Sequence, residues 1–223
     1  MSIKENLNRL RSEIPGNVKI IAISKTKSPA QILEVYNTGH RLFGENRVQE
    51  LTDKAAILPG DIQWHMVGHL QTNKVKYIIP FISLIHSVDS IKLLSVINNE
   101  SLKINKIQDC LFQVYIASDE TKFGLSETEL ESLLGSTEFG QFNNIRIVGL
   151  MGMATFTDNE SVVRDEFRNL ARIFKNVKNE FFRYKDYFRE LSMGMSGDCR
   201  IAIEEGSTMI RIGTLIFGER ELQ

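Results

Sequence analysis

The sequence predicts an α/β protein with a single (β/α)8 TIM barrel over residues 1–223 and an extra N-terminal helix. Three observations predict it. Eight short apolar runs alternate with amphipathic stretches, and each of the first seven runs is followed by a helix-like segment. Repeated strand–helix units call for a parallel sheet. Eight such units in about 200 residues suit a closed barrel better than an open doubly wound sheet.

Residues 2–14 place Ile3, Leu7, Leu10 and Ile14 at helical spacing, an amphipathic lead-in helix. VKIIAIS (18–24) is a β-branched run typical of a strand covered on both faces. Pro29 and QILEVYNTG read as a turn and a helix, stopped at Gly39. RLFGEN (41–46) precedes helical VQELTDKAAIL (48–58), and IQWHMVG (62–68) precedes a helix around 73–79 that Pro80 stops. LIHSV (84–88) leads into SIKLLSVINNE (90–100). CLFQVYIA (110–117) leads into SETELESLLG (126–135), where Ser126 and Glu129 have capping-box spacing. IRIVGLMGM (145–153) precedes a long helix from about 161 to 182. ELSMGM (190–195) precedes the short helix DCRIAIEEG (198–206), and MIRIGTLIF (209–217) is the eighth strand. Its helix is expected to be short or missing, with the N-terminal helix covering the gap. No linker, repeat or low-complexity stretch interrupts this pattern.

The formal net charge is −1, from 27 basic and 28 acidic residues, which argues against a nucleic-acid binder. No run approaches the roughly 18 apolar residues of a membrane span, and the N-terminus has no apolar signal region. Cys110 and Cys199 are far apart with no CxxC pattern, and are read as two buried thiols in a reducing compartment. A cytoplasmic protein is expected, without membrane or nucleic-acid partners.

In barrels of this kind, reactive groups lie at the C-terminal ends of the strands. Those ends carry Lys25, Asn46, His65, Ser87, Asp89, Ser196, Arg211, Gly213 and Thr214. Lys25 directly follows the first strand. A partly desolvated amine is nucleophilic toward carbonyls; a solvated lysine at a strand end is the plainer reading. Ser196, Gly197 and Asp198 open a short helix, while Gly213 and Thr214 follow the eighth strand. Free N–H groups at such places bind phosphate, although Ser196 or Asp198 as a simple helix cap explains the same pattern. Arg211 stands between Ile210 and Ile212. With the isoleucines facing helices, its guanidinium faces the barrel interior and needs an acidic partner or a ligand. His65 and His69 are four apart, but Gly68 and the strand-like context argue against a shared helical face, so no metal is expected. There is no Walker A or GxGxxG motif, and GMSGD (194–198) misses the nucleophile elbow because its second glycine is displaced. Met151, Met153, Met193 and Met195 are read as barrel packing.

Together, AISKTK (22–27), FGENRVQE (43–50), WHMVGHLQTNK (64–74), HSVDS (86–90), GLMGM (149–153) and the segment 191–218 resemble the pyridoxal-phosphate homeostasis protein family. That family is similar to the N-terminal barrel domain of alanine racemase. The resemblance implies pyridoxal 5′-phosphate as cofactor, with Lys25 as its Schiff-base lysine. It further implies Ser196, Gly213 and Thr214 at the phosphate, Arg211 facing the pyridine nitrogen, and Asn46 and His65 lining the pocket. Two departures are Ser28 before Pro29, where many relatives have proline directly, and Gly197, where an acidic residue is common.

An arginine does not give up its proton at biological pH, so it leaves the ring nitrogen unprotonated and the cofactor a weak electron sink. A racemase also needs a base from a second domain, for which the chain has no room after Gln223. The expectation is a non-catalytic monomer that carries or buffers the cofactor in vitamin B6 homeostasis, with apo forms of pyridoxal-phosphate enzymes as partners. A weak amino-acid racemase is the second reading. A lysine-imine aldolase on the same fold is the third.

Overall fold

The computed structural model describes residues 2–117 and 124–219. Eight parallel strands close into a barrel in sequence order. They are β1 (Lys19–Ile23), β2 (Leu42–Glu45), β3 (Gln63–Met66), β4 (Leu84–Val88), β5 (Gln108–Gln113), β6 (Ile145–Met151), β7 (Glu190–Ser192) and β8 (Met209–Ile212). The barrel closes where Lys19 pairs with Met209 and Ile21 with Arg211.

The helices are α1 (Ile3–Glu13), α2 (Pro29–Tyr36), α3 (Val48–Ile57), α4 (Val75–Ile78), α5 (Ile91–Lys103), α6 (Glu127–Leu134), α7 (Glu160–Phe181), α8 (Cys199–Glu204) and α9 (Thr214–Phe217). Local chemistry sets their starts. Ser2, Ser28 and Ser126 each accept from the N–H three residues on and complete capping boxes with Glu5, Gln31 and Glu129. Ser28 is therefore a helix cap, and Pro29 occupies the first helical turn, where its missing N–H costs nothing.

Three runs resolve differently from their sequence reading. β5 covers 108–113 rather than 110–117; beyond it, Val114 N–H still donates to the Met151 carbonyl at 2.8 Å, and Val114 forms an isolated bridge to Leu125. β7 ends at Ser192. The apolar run 209–217 is not one strand: it turns at Gly213 and continues as α9. The short eighth helix is thus present, and α1 covers it, with Asn6 Nδ2 donating to the Ile216 carbonyl at 3.1 Å. Leu7 and Leu10 anchor α1 in the core; full burial of such a side chain stabilises by about 1.5–3 kcal/mol.

Strand alternation divides the core into two shells. Outward residues such as Ala22, Phe43, Trp64, Met66, Ile85, Phe112, Leu150, Ile210 and Ile212 pack beneath the helices. Inside the barrel lie Ile21, Ile23, Leu84, Leu111, Val148, Met151 and Met209. A Cβ on Gly149 of β6 would sit 1.7 Å from the Glu190 carbonyl oxygen, so only glycine lets β6 and β7 approach this closely.

Cys110 is fully buried, and burial pushes its thiol well above the usual range, out of reach of ordinary ionisation. Cys199 is only half-buried, because it starts α8 at the barrel rim. Among the described residues no helix is long and apolar enough to cross a membrane.

Candidate functional site

The C-terminal ends of the strands surround a cavity of about 750 Å³. Lys25, Asn46, Ser196, Arg211, Gly213 and Thr214 all line it. The β1, β2, β7 and β8 ends therefore converge, although Lys25 and Thr214 are far apart in sequence. Asp89 also faces the cavity, with Asp89 Oδ2 3.6 Å from His69 Nδ1 at the rim. Ser87 does not: its hydroxyl donates to the Gly68 carbonyl at 2.6 Å and ties two loops together. Gly68 is needed there, since a Cβ on it would lie 2.3 Å from the Asn46 carbonyl oxygen. Met151 and Met193 are buried as expected, but Met153 and Met195 are more than a third exposed and line the cavity mouth. They sit past the ends of β6 and β7, where no helix covers them.

His65 needs a correction. It lies inside the barrel below the cavity and does not line it; Val67, two residues on, does. The inward positions of β3, β4, β7 and β8 instead form a buried polar chain. His65 Nδ1 is 2.9 Å from His86 Nε2, and His86 Nδ1 is 3.0 Å from Ser192 Oγ. Arg211 Nη1 donates to Ser192 Oγ at 2.8 Å and to the Ser192 carbonyl at 2.9 Å, while Nη2 donates to the Gly152 carbonyl at 3.1 Å.

A guanidinium only donates, so Ser192 Oγ must accept from Arg211. The assignment that leaves no hydroxyl proton idle runs Arg211 to Ser192, Ser192 to His86 Nδ1, and His86 Nε2–H to His65 Nδ1. Both imidazoles are then neutral. Burial is the main reason: it pulls His65 down to about 3 and His86 well below its ordinary value, with His65 and Arg211 adding to the latter. Burial also lowers Arg211 to about 10, against the pull of Asp198, so the guanidinium remains charged at neutral pH.

The buried guanidinium has no carboxylate at ion-pair distance among the described residues. Its three hydrogen bonds go to two carbonyls and a hydroxyl, leaving two of its five N–H groups for the cavity it lines. Among the described residues, the main-chain N–H groups of Ser196, Gly197, Gly213 and Thr214 donate to no protein acceptor. Asp198 caps the neighbouring turn by accepting from Met195 N at 2.5 Å, and burial raises its carboxyl above the usual range. One side of the cavity thus offers a fixed cation and a set of free N–H donors, suited to an anionic ligand with an acceptor nitrogen or oxygen beside it. No group of three or more potential metal ligands occurs among the described residues.

A family model described as alanine racemase, N-terminal domain, matches residues 1–221. The chain is 42% identical to a pyridoxal phosphate homeostasis protein of Aquifex aeolicus, over 91% of this chain and 87% of that one. The chain belongs to this family. A human family member is 34% identical over 98% of this chain and 83% of its own length. Among solved structures, PipY of Synechococcus elongatus with PLP bound superposes with a TM-score of 0.87 at 33% identity, over 97% of this chain and all of that one. Alanine racemase of Clostridium difficile aligns with a TM-score of 0.71 at 16% identity, over 57% of its own chain, a likeness of fold alone.

His86 and Ser192 had not been singled out. His86 lies within HSVDS, and the outward Ile85 beside it was the available signal that it points inward.

Proposed function

We propose that the chain binds pyridoxal 5′-phosphate in this cavity, attached to Lys25, and carries or buffers it in vitamin B6 homeostasis without efficient catalysis. The convergence of Lys25, Arg211 and the free N–H groups of Ser196, Gly213 and Thr214 on one cavity supports the reading. The family names and the PLP-bound PipY relative support it further. Bound cofactor supplies an electrophilic aldehyde for Lys25 and an electron sink of modest strength. Lys25 holds it, Ser196, Gly213 and Thr214 grip its phosphate, and Asn46 bounds the ring. Arg211 donates to the ring nitrogen and has no acid proton to give near neutrality. His65 acts on the ring only through His86 and Ser192. We infer a cytoplasmic monomer that hands cofactor to apo forms of pyridoxal-phosphate enzymes. The racemase reading is not favoured, because its support is a likeness of fold.

The deciding experiment is borohydride reduction of the yellow holoprotein, followed by peptide mapping. The label should fall on Lys25; a main label on Lys27, or on Lys122 outside the described residues, overturns the assignment. Thr214→Ala removes one hydroxyl from the phosphate and should weaken binding by about 0.5–3 kcal/mol. Calorimetric titration with pyridoxal 5′-phosphate and with pyridoxal tests the site directly. Equal affinities for the two would refute a phosphate grip.

A further inference from the structure

Glu50 and Lys54 stand four residues apart on α3, a spacing common on exposed helix faces. The structure places them elsewhere. The Lys54 side chain is only 7% exposed, and its Nζ lies 2.7 Å from Glu50 Oε1, 2.8 Å from Glu45 Oε1 and 2.7 Å from the Ser24 carbonyl oxygen. Glu50 Oε1 also accepts from Thr26 N at 2.5 Å. Ser24 Oγ donates to Glu45 Oε1 at 2.6 Å.

The carbonyl of Ser24 belongs to the peptide unit before Lys25, and the N–H of Thr26 belongs to the unit after it. One ion pair therefore holds the peptide groups on both sides of the Lys25 Cα. Thr26 has φ 64°, the left-handed region that a β-branched residue enters only against a cost of roughly 1–2 kcal/mol. The Glu50 contact holds the chain in that conformation. Lys54 and Glu50 reach this segment from α3, where with Pro29, Arg47 and Asp53 they line an outer groove, and neither lines the cavity.

The geometry points to the Glu50–Lys54 pair as a backbone clamp that sets the direction in which Lys25 enters the cavity, making both residues positioning residues for covalent cofactor attachment. This rests on the reading of Lys25 as the attachment point. At the buried end Lys54 Nζ also pairs with Glu45 Oε1 at 2.8 Å; Glu45 Oε2 accepts no hydrogen bond there, so the clamp is anchored through Glu45 Oε1.

The clamp acts on the covalent bond and not on the phosphate or ring contacts. Pyridoxine 5′-phosphate, which has no aldehyde, separates the two. Affinities for pyridoxal 5′-phosphate and for pyridoxine 5′-phosphate are measured on the full chain, with circular dichroism to verify folding. In Lys54→Met the preference for the aldehyde should fall roughly 10-fold or more, the scale of one charge-assisted hydrogen bond. Pyridoxine 5′-phosphate affinity should stay within about twofold of the parent protein, since none of its contacts involves the clamp. Glu50→Ala, at a more exposed position, should do the same and carries the test where Lys54→Met does not fold. In a Lys25→Ala background, adding Lys54→Met should change neither affinity, because the group being aimed is gone. An unchanged aldehyde preference in both clamp variants, with that preference lost in Lys25→Ala, overturns the clamp and leaves the attachment reading standing. Equal weakening of both ligands also overturns it, by showing a general structural role. If Lys25→Ala keeps the full aldehyde preference, the attachment reading itself falls.

Discussion

Moving the apoprotein from pH 7 to pH 5 should remove several kcal/mol of folding stability. His40, His65 and His86 are the cause. Burial is the first reason for each, lowering His40 to about 4 and His65 to about 3, and His86 further below the ordinary 6.5. A group whose folded value is lowered binds its proton in the unfolded chain first. Stability is therefore complete above about pH 6.5 and is lost as the pH falls from there toward the folded values. At pH 5 His40 and His65 each remove about 2 kcal/mol, about 4 kcal/mol together, and His86 acts in the same direction, against a total of about 5–15 kcal/mol for a typical domain. Glu45 and Asp198, both raised chiefly by burial, work in the opposite sense and offset part of this. Urea unfolding at the two pH values measures the difference, and His40→Gln should remove about 2 kcal/mol of it. Equal stability at pH 7 and pH 5 would show that the imidazoles are not held neutral in the barrel.

Ser192→Val should be the most damaging single change of comparable volume in the site. The hydroxyl accepts from Arg211 and faces His86 Nδ1, and Ser192 is fully buried. Valine leaves a charged N–H and an imidazole nitrogen without partners. Each orphaned buried group costs about 1–3 kcal/mol, and more when charged, so a loss of about 3 kcal/mol or more is expected. Ser192→Thr keeps the hydroxyl and should recover most of it. The same denaturant titration at pH 7.5 reads both variants. A loss below about 1 kcal/mol for the valine would mean that the polar chain is not continuous through Ser192.

The strand and helix pattern was legible because parallel strands covered on both faces are continuous β-branched runs, as in KIIAI and LIHSV. The same continuity hid the turn at Gly213, since Ile210, Ile212, Leu215 and Ile216 are apolar on both sides of it. It also overextended β5, whose apolar tail packs as loop. Most of the cavity was legible by counting strand ends. His65 was misplaced by one layer, because inward residues alternate with depth along a strand. The partners of Arg211 were not legible: Ser192 and His86 come from other strands and carry no motif. Nothing in the sequence marks Lys54 as buried either, since four-residue spacing to Glu50 is common on exposed helices.

Barrel closure between β1 and β8 has a kinetic consequence. Lys25 follows one of these strands and Thr214 the other, yet the strands are hydrogen-bonded neighbours joined at Lys19 and Met209. Such a pairing requires the ends of a long intervening chain to meet, which makes it a slow, late event in folding. During synthesis the cavity cannot exist until residue 214 has left the ribosome and the seam has sealed. Cofactor loading then follows sealing of the seam, and the ligand, by favouring the closed barrel, opposes any reopening of it.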